Sequence, residues 1–249
     1  MSRTIFYLLL IALATSCSQT LSDPQTIVDR AIQATGGDRY LNSSIEFDFR
    51  DRHYKAARQG GVFSYERIFQ DSLNTIHDFV TNDGFRREIN GVQSDVADSM
   101  RTRYSSSTNS VIYFALLPYG LNDAAVQKEF VGRSTVEGRE YYKVKVTFGQ
   151  QGGGEEFEDV YYYWFDPETF AIAYLAYSFA EADETSFRFR KAVNPQVVDG
   201  IRFLDYVNYQ PMDKSQKVEH ADQLFNEGKL SELSRIELKN ISVKQIGPG

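Results

Sequence analysis

The sequence predicts a mainly β (α+β) fold: a single large, curved antiparallel sheet with one N-terminal helix and short covering helices. Three observations carry this. Apolar and polar residues alternate with period two through most of the chain from Ile45 onward, the spacing of half-buried strands. Aromatic residues reach 14%, with 16 Tyr and 18 Phe against one Trp, and these side chains favour pleated, partly buried surfaces. Finally, Tyr161-Tyr162-Tyr163-Trp164-Phe165 and Ile172-Ala173-Tyr174-Leu175-Ala176-Tyr177 have no polar face at all. A sheet apolar on both sides must be covered on both, or must wrap a cavity that is plugged.

In chain order, Arg3 and the apolar run Ile5–Ala14 read as the n- and h-regions of a signal peptide over residues 1–16. About ten apolar residues make only ~15 Å of helix, half of a ~30 Å hydrocarbon core, which is too short to span a membrane. Thr15-Ser16-Cys17 brings small residues up to the chain's one cysteine. The run resembles a bacterial lipobox, which makes Cys17 a lipidated N-terminus, although Ala14 stands where leucine is more typical. The alternative is plain secretion with cleavage after Ala12-Leu13-Ala14. Lipidation removes the liability of an unpaired thiol in an oxidising compartment. Residues 17–22 then form a polar tether without an acidic export cluster, which places the body, residues 23–249, on the periplasmic face of the outer membrane as one β domain.

Asp23-Pro24 opens a helix, since aspartate caps and proline fits the first turn. Ile27, Ala31, Ile32 and Ala34 keep helical spacing until Gly36-Gly37 stops it. Strands follow through Phe49 and from Phe63 to Phe69, with tight-turn signals at Asn82-Asp83-Gly84 and Asn90-Gly91. The middle differs: Asp98–Asn109 is polar and serine-rich, Val111–Leu117 is continuously apolar, and Pro118-Tyr119-Gly120 turns. Short helices are expected on either side of that turn, the second capped by Asn122. Strands resume at Glu129–Thr135, Tyr141–Phe148, Val160–Phe165, Ala171–Phe179, Phe187–Ala192, Ile201–Tyr209 and Leu233–Ile246, with a polar, helical excursion over Asp213–Gly228. A long antiparallel sheet of this kind curls, because each strand twists against its neighbour. The apolar middle segment and the N-terminal helix are the natural plugs.

The formal net charge of −7 becomes −8 once Arg3 leaves with the signal, which argues against nucleic acid and a polybasic membrane patch. His53, His77 and His220 lie apart, and no H-E-x-x-H, C-x-x-C or G-x-S-x-G pattern occurs, so no metal, cofactor or serine-hydrolase site is expected. Gly152-Gly153-Gly154 lacks a phosphate loop's lysine and reads as a hairpin. Glu155, Glu156, Glu158 and Asp159 should share a rim with Glu181, Asp183 and Glu184, as a solvated edge rather than a Ca²⁺ site. Arg188 and Arg190 lie on one strand face; outward they make structural ion pairs with Asp205 and Arg202 nearby, and inward they bind.

Ala34-Thr35-Gly36-Gly37-Asp38-Arg39-Tyr40, the stretch Ser107–Asp123, Glu158-Asp159-Val160, Phe187–Ala192 and Gly200-Ile201-Arg202-Phe203 resemble a Bacteroidota lipoprotein family of unknown function, over nearly the whole mature chain. By its pattern of elements that family is similar to the LolA/LolB outer-membrane lipoprotein-carrier half-barrel, an open curved sheet lidded by helices. The resemblance implies no catalytic residues. It leaves an aldolase activity unsupported, because that chemistry uses a (β/α)₈ barrel and a Schiff-base lysine.

The function expected is a lipid-anchored periplasmic binding module whose partners are the membrane, through Cys17, and a lipid or other apolar ligand. Tyr113, Phe114, Leu117, Tyr119, Trp164, Tyr174 and Tyr177 are the candidate lining, with Arg188 and Arg190 beside them. The rivals are an envelope enzyme using Asp159, Arg188, Arg190 and Asp205, and an interaction protein docking through Glu155, Glu156 and Asp183.

Overall fold

The computed structural model describes residues 21–149, 158–181 and 184–247, the side chains of Glu181 and Glu184 excepted. The expectations for residues 1–20, Cys17 among them, and for Gly152–Glu156 and Asp183 fall outside the described residues.

The first helix, α1 (Pro24–Thr35), begins as the sequence dictates: the Asp23 carboxylate accepts from the backbone N–H of Gln25 (3.4 Å) and Thr26 (3.0 Å), and proline occupies the first turn. It buries Ile27, Val28 and Ala31 and stops at Gly36. Six strands follow as hairpins: β1 (Ser43–Phe49), β2 (Arg52–Gln59), β3 (Val62–Asp71), β4 (Asn74–Thr81), β5 (Gly84–Ile89) and β6 (Val92–Ser94). Helix α2 (Asp98–Ala115) and a 3-10 turn (Tyr119–Asn122) come next. Then come β7 (Val126–Val136), β8 (Arg139–Phe148), β9 (Tyr161–Phe165), β10 (Ile172–Glu181), β11 (Glu184–Val198) and β12 (Ile201–Pro211). A short 3-10 turn and α3 (Ala221–Asn226) precede β13 (Leu230–Ile236) and β14 (Lys239–Gln245).

Every pairing is antiparallel, and the strands form two unclosed seven-stranded sheets, in the orders β14-β1-β2-β3-β4-β5-β6 and β13-β12-β11-β10-β9-β8-β7. The expected curved antiparallel β architecture is present, divided between these two sheets. The division falls within Leu233–Ile246, which the alternation presents as one strand. Its first part pairs with β12 and its second with β1. Between them Leu238 turns inward, 6% exposed, and its N–H donates to the Asp205 carboxylate at 2.9 Å. The last segment of the chain is therefore the seam that joins the two sheets.

The apolar runs of the second sheet are covered on both faces. Cross-strand partners share a face, and the register pairs Tyr163 with Leu175 and Trp164 with Tyr174. Tyr161, Tyr163, Phe165 and Leu175 pack on α1 and on Leu117 and Leu121, as the sequence expects of its plugs. Trp164, Tyr174, Phe187 and Phe189 face the other way, against Ala221, Leu224 and Phe225. The excursion at Asp213–Gly228 is thus the second cover. There Lys143, 8% exposed, donates to the Asp222 carboxylate (3.0 and 3.1 Å) and to the Glu219 carbonyl (2.8 Å), and lies 5.0 Å from the Trp164 ring.

The middle segment differs from expectation. The serine-rich Asp98–Asn109 is helical, as part of one 18-residue helix, and Asn122 ends a 3-10 turn rather than capping a second helix. Serine and asparagine are weak helix formers because their side chains compete for the backbone, so contacts with distant strands must hold α2.

Candidate functional site

Helix α2 lies across the inner face of the first sheet, against β2–β5. The residues there come from the apolar phase of three strands, yet the centre of each phase is charged. Arg67, Asp78 and Arg87 stand opposite one another on β3, β4 and β5. Asp78 is fully buried and Arg67 is 2% exposed. Arg67 donates to Asp78 through Nε (3.0 Å) and Nη2 (2.6 Å), and Arg87 does so through Nε (2.6 Å) and Nη2 (3.0 Å). The helix docks on this triad: the Ser107 hydroxyl accepts from Arg67 Nη1 at 2.9 Å, and the Tyr104 ring stacks 3.8 Å from the Arg87 guanidinium. The polar half of α2 is therefore seated on ionic groups.

The other half of α2 is apolar and reaches both sheets. Ile112, Ala115 and Leu116 join Tyr40, Ile45, Phe47 and Tyr54 of the first sheet's core, which also receives Ile201 and Phe203. Phe114 points to the second sheet, 5.2 Å from the Tyr177 ring and 6.3 Å from that of Tyr161. Between this half-helix and the seam lies an apolar cleft of ≈ 100 Å³. Its roof is Ser110, Val111, Phe114 and Ala115; its walls are Phe49, Leu204, Tyr206, Ile236, Leu238 and Arg190. Ser110 also borders a wider surface cavity of ≈ 630 Å³ that holds Glu158, Asp159, Tyr177 and Arg188. The cleft thus adjoins a polar mouth.

Arg190 is the charged group of the cleft. It pairs in register with Leu175 and so faces inward, and it is 9% exposed. Its guanidinium sits 4.2 Å from the Phe114 ring centroid and 4.9 Å from that of Tyr177, and Nη2 donates to the Tyr177 hydroxyl at 2.8 Å. Burial pushes the phenols of Tyr113, Tyr163 and Tyr206 well above the ordinary tyrosine range. These hydroxyls stay neutral at physiological pH, so Tyr206 walls the cleft without adding charge to it.

The sequence candidates divide accordingly. Phe114 and Arg190 line the cleft; Tyr177 and Arg188 line the mouth; Tyr113 and Leu117 pack beside them on the inner face. Tyr119 lies further along the first sheet's core, stacked on Tyr40 at 5.0 Å and under Arg58 at 4.7 Å. Trp164 and Tyr174 do not belong with this group. They project from the opposite face, because the apolar run of β9 puts alternate rings on opposite sides and its composition conceals which side is which. The four groups proposed for an enzyme do not converge either. Asp159 and Arg188 share the mouth and Arg190 lies in the cleft, but Asp205 holds the Leu238 N–H and the Asn194 amide (2.7 Å) at the seam. No cluster of metal-ligating residues occurs among the described residues.

A cover of weak helix formers seated on ionic groups should open more readily than the strands beneath it. Amide hydrogen exchange is expected to be faster over Ser105–Ser110 than in β2–β4; equal protection in both would contradict this.

The fold and the cleft together define an open antiparallel β half-barrel closed on its inner face by helices, with a small apolar site beneath the central one. The chain belongs to DUF6503, a family of unknown function whose model matches residues 3–238. Among solved structures it is similar to a DUF1329 family protein from Desulfovibrio piger, at 13% identity and a TM-score of 0.52, over 91% of this chain and 95% of that one. It is also similar to the LolA superfamily protein NE2245 from Nitrosomonas europaea, at 10% identity and a TM-score of 0.49, over 90% of this chain and 94% of that one. The first likeness is one of fold alone. No curated protein matches the chain. No helix among the described residues is long and apolar enough to cross a membrane.

Proposed function

We propose that this protein is a lipid-anchored module of the cell envelope that holds an apolar ligand, an acyl chain, between α2 and the seam of its two sheets. The observation that carries the reading is the apolar cleft under α2 and its junction with the mouth at Ser110. Sites for apolar ligands are concave and mostly apolar, with few polar groups, and this cleft has that make-up. The envelope address and the anchor rest on the sequence at Ile5–Cys17. A tethered body receives or retains its ligand rather than shuttling it.

At ≈ 100 Å³ the cleft equals about three waters' share of liquid volume, so an acyl chain enters only as α2 lifts. Lifting breaks the Ser107–Arg67 bond and the Tyr104–Arg87 stack, while the Arg67–Asp78–Arg87 triad remains intact on the sheet.

The test uses N-phenyl-1-naphthylamine, a neutral apolar dye that fluoresces on leaving water. The full-length chain should bind it saturably. Ser110→Phe, which fills the junction from a half-buried position, should weaken that binding at least about tenfold, some 1.4 kcal/mol, without lowering the midpoint of thermal unfolding. Absence of saturable binding to the unaltered chain, or equal binding by both proteins, overturns the reading.

A further inference from the structure

Among the described residues three cations are at least nine-tenths buried, Arg67, Lys143 and Arg190, and the first two each have a carboxylate partner. Arg67 and Arg87 share Asp78, and Lys143 has Asp222, each pair within 3.0 Å. Arg190 is buried to a similar degree, yet no carboxylate among the described residues pairs with it. It makes one hydrogen bond, to the Tyr177 hydroxyl, and its Nε finds no acceptor. A guanidinium does not discharge by losing a proton, and a buried charge is costly unless it is paired. The rings of Phe114 and Tyr177 supply part of the compensation. The remaining donors belong to a side chain that walls the apolar cleft.

From this we infer that the ligand of the cleft is an anionic amphiphile, a long-chain carboxylate, whose head group is held by Arg190 while its alkyl chain lies along Phe114, Leu204 and Ile236. One guanidinium balances one negative charge, and its planar fork matches a carboxylate with two parallel hydrogen bonds. A second cation, as a phosphate monoester would need, is not among the cleft's walls; Arg188 lies in the mouth, 4.6 Å from the Phe179 ring. The inference rests on the apolar-ligand reading and adds a head-group requirement to it.

The experiment compares dodecanoate with 1-dodecanol, equal in chain and different in charge, as displacers of N-phenyl-1-naphthylamine from the full-length chain at pH 8. Dodecanoate should bind at least about tenfold more tightly than the alcohol, the order expected of one charge-assisted hydrogen-bonded contact. Arg190→Met, which keeps the stem that packs on Phe114, should bring the ratio to about one, and Arg190→Lys should keep part of the preference. Equal displacement by acid and alcohol in the unaltered chain overturns the head-group assignment and leaves the apolar site standing. Displacement by neither overturns both. A preference that survives in Arg190→Met places the anion site elsewhere and also overturns the assignment. Where Arg190→Met does not fold, Arg190→Lys carries the test: an acid-to-alcohol ratio that it leaves undiminished overturns the assignment.

Discussion

Replacing Asp78 with alanine is expected to cost about 3–5 kcal/mol of folding stability, the range for removing one partner of a buried ion pair. The carboxylate is fully buried and receives four hydrogen bonds, two from Arg67 and two from Arg87. Its loss leaves two guanidinium groups under α2 with no carboxylate partner, beside the Ser107 hydroxyl and the rings of Phe69 and Tyr104. Neither arginine can neutralise itself, so the penalty is electrostatic rather than one of lost volume. Urea unfolding should show a lower midpoint at an unchanged slope. Asp78→Asn, which keeps the shape, should be nearly as damaging. A loss below about 1 kcal/mol, the level of an exposed pair, would show that the triad is solvated rather than buried.

On the opposite side of the second sheet, Asp222→Ala should have an effect of similar order at neutral pH, and here pH separates the causes. Burial pushes the Asp222 carboxyl up, but the hydroxyl of Ser134 and the ammonium of Lys143 outweigh it and hold the group below the usual carboxylate range. A carboxylate depressed in the folded state contributes stability that is complete above its unfolded pKa, about 3.9, and is lost as pH falls through the lower folded value. The gap between the unaltered chain and Asp222→Ala should therefore be largest at pH 7, about 3–5 kcal/mol, and should narrow below about pH 4. Urea titrations at pH 7 and pH 3 measure it. A gap that stays constant between those two values would mean that Asp222 acts through packing alone.

Much of this architecture can be read from the residues. Asp23-Pro24 and Gly36 bracket α1 because capping and helix termination are local events. Period-two alternation marks the strands, and the runs at Tyr161–Phe165 and Ile172–Tyr177 require the two-sided covering that α1, the Leu117–Leu121 segment and α3 provide. The polar, serine-rich stretch at Asp98–Asn109 does not show that it belongs to one 18-residue helix, because serine, threonine and asparagine are weak helix formers. Arg67 and Arg87, 40 and 17 residues before their partners on α2, supply what it lacks. The split of the last strand is equally non-local, since the burial of Leu238 and its bond to Asp205 turn the chain from one sheet to the other.

The candidate site is legible in part. Phe114 and Arg190 stand out as an aromatic in an apolar run and an arginine in a strand, but the face each one takes depends on register. Trp164 and Tyr174 show the cost of that ambiguity: one step along an all-apolar strand reverses the side. The buried triad did leave a signal. Arg67 lies in phase with Tyr65 and Phe69, Asp78 with Ile76 and Val80, and Arg87 with Phe85 and Ile89. Opposite charges in the apolar phase of three successive strands point to a buried ionic row.

A crystal structure of the full-length chain grown with 12-bromododecanoate, whose halogen is located by its anomalous scattering, shows directly whether an acyl chain lies between α2 and the seam. A bromine peak is expected under α2, among Phe49, Val111, Phe114 and Leu204, with the helix raised from the first sheet. A peak on the α3 side of the second sheet, beside Trp164, or a peak only at the protein surface, would contradict it.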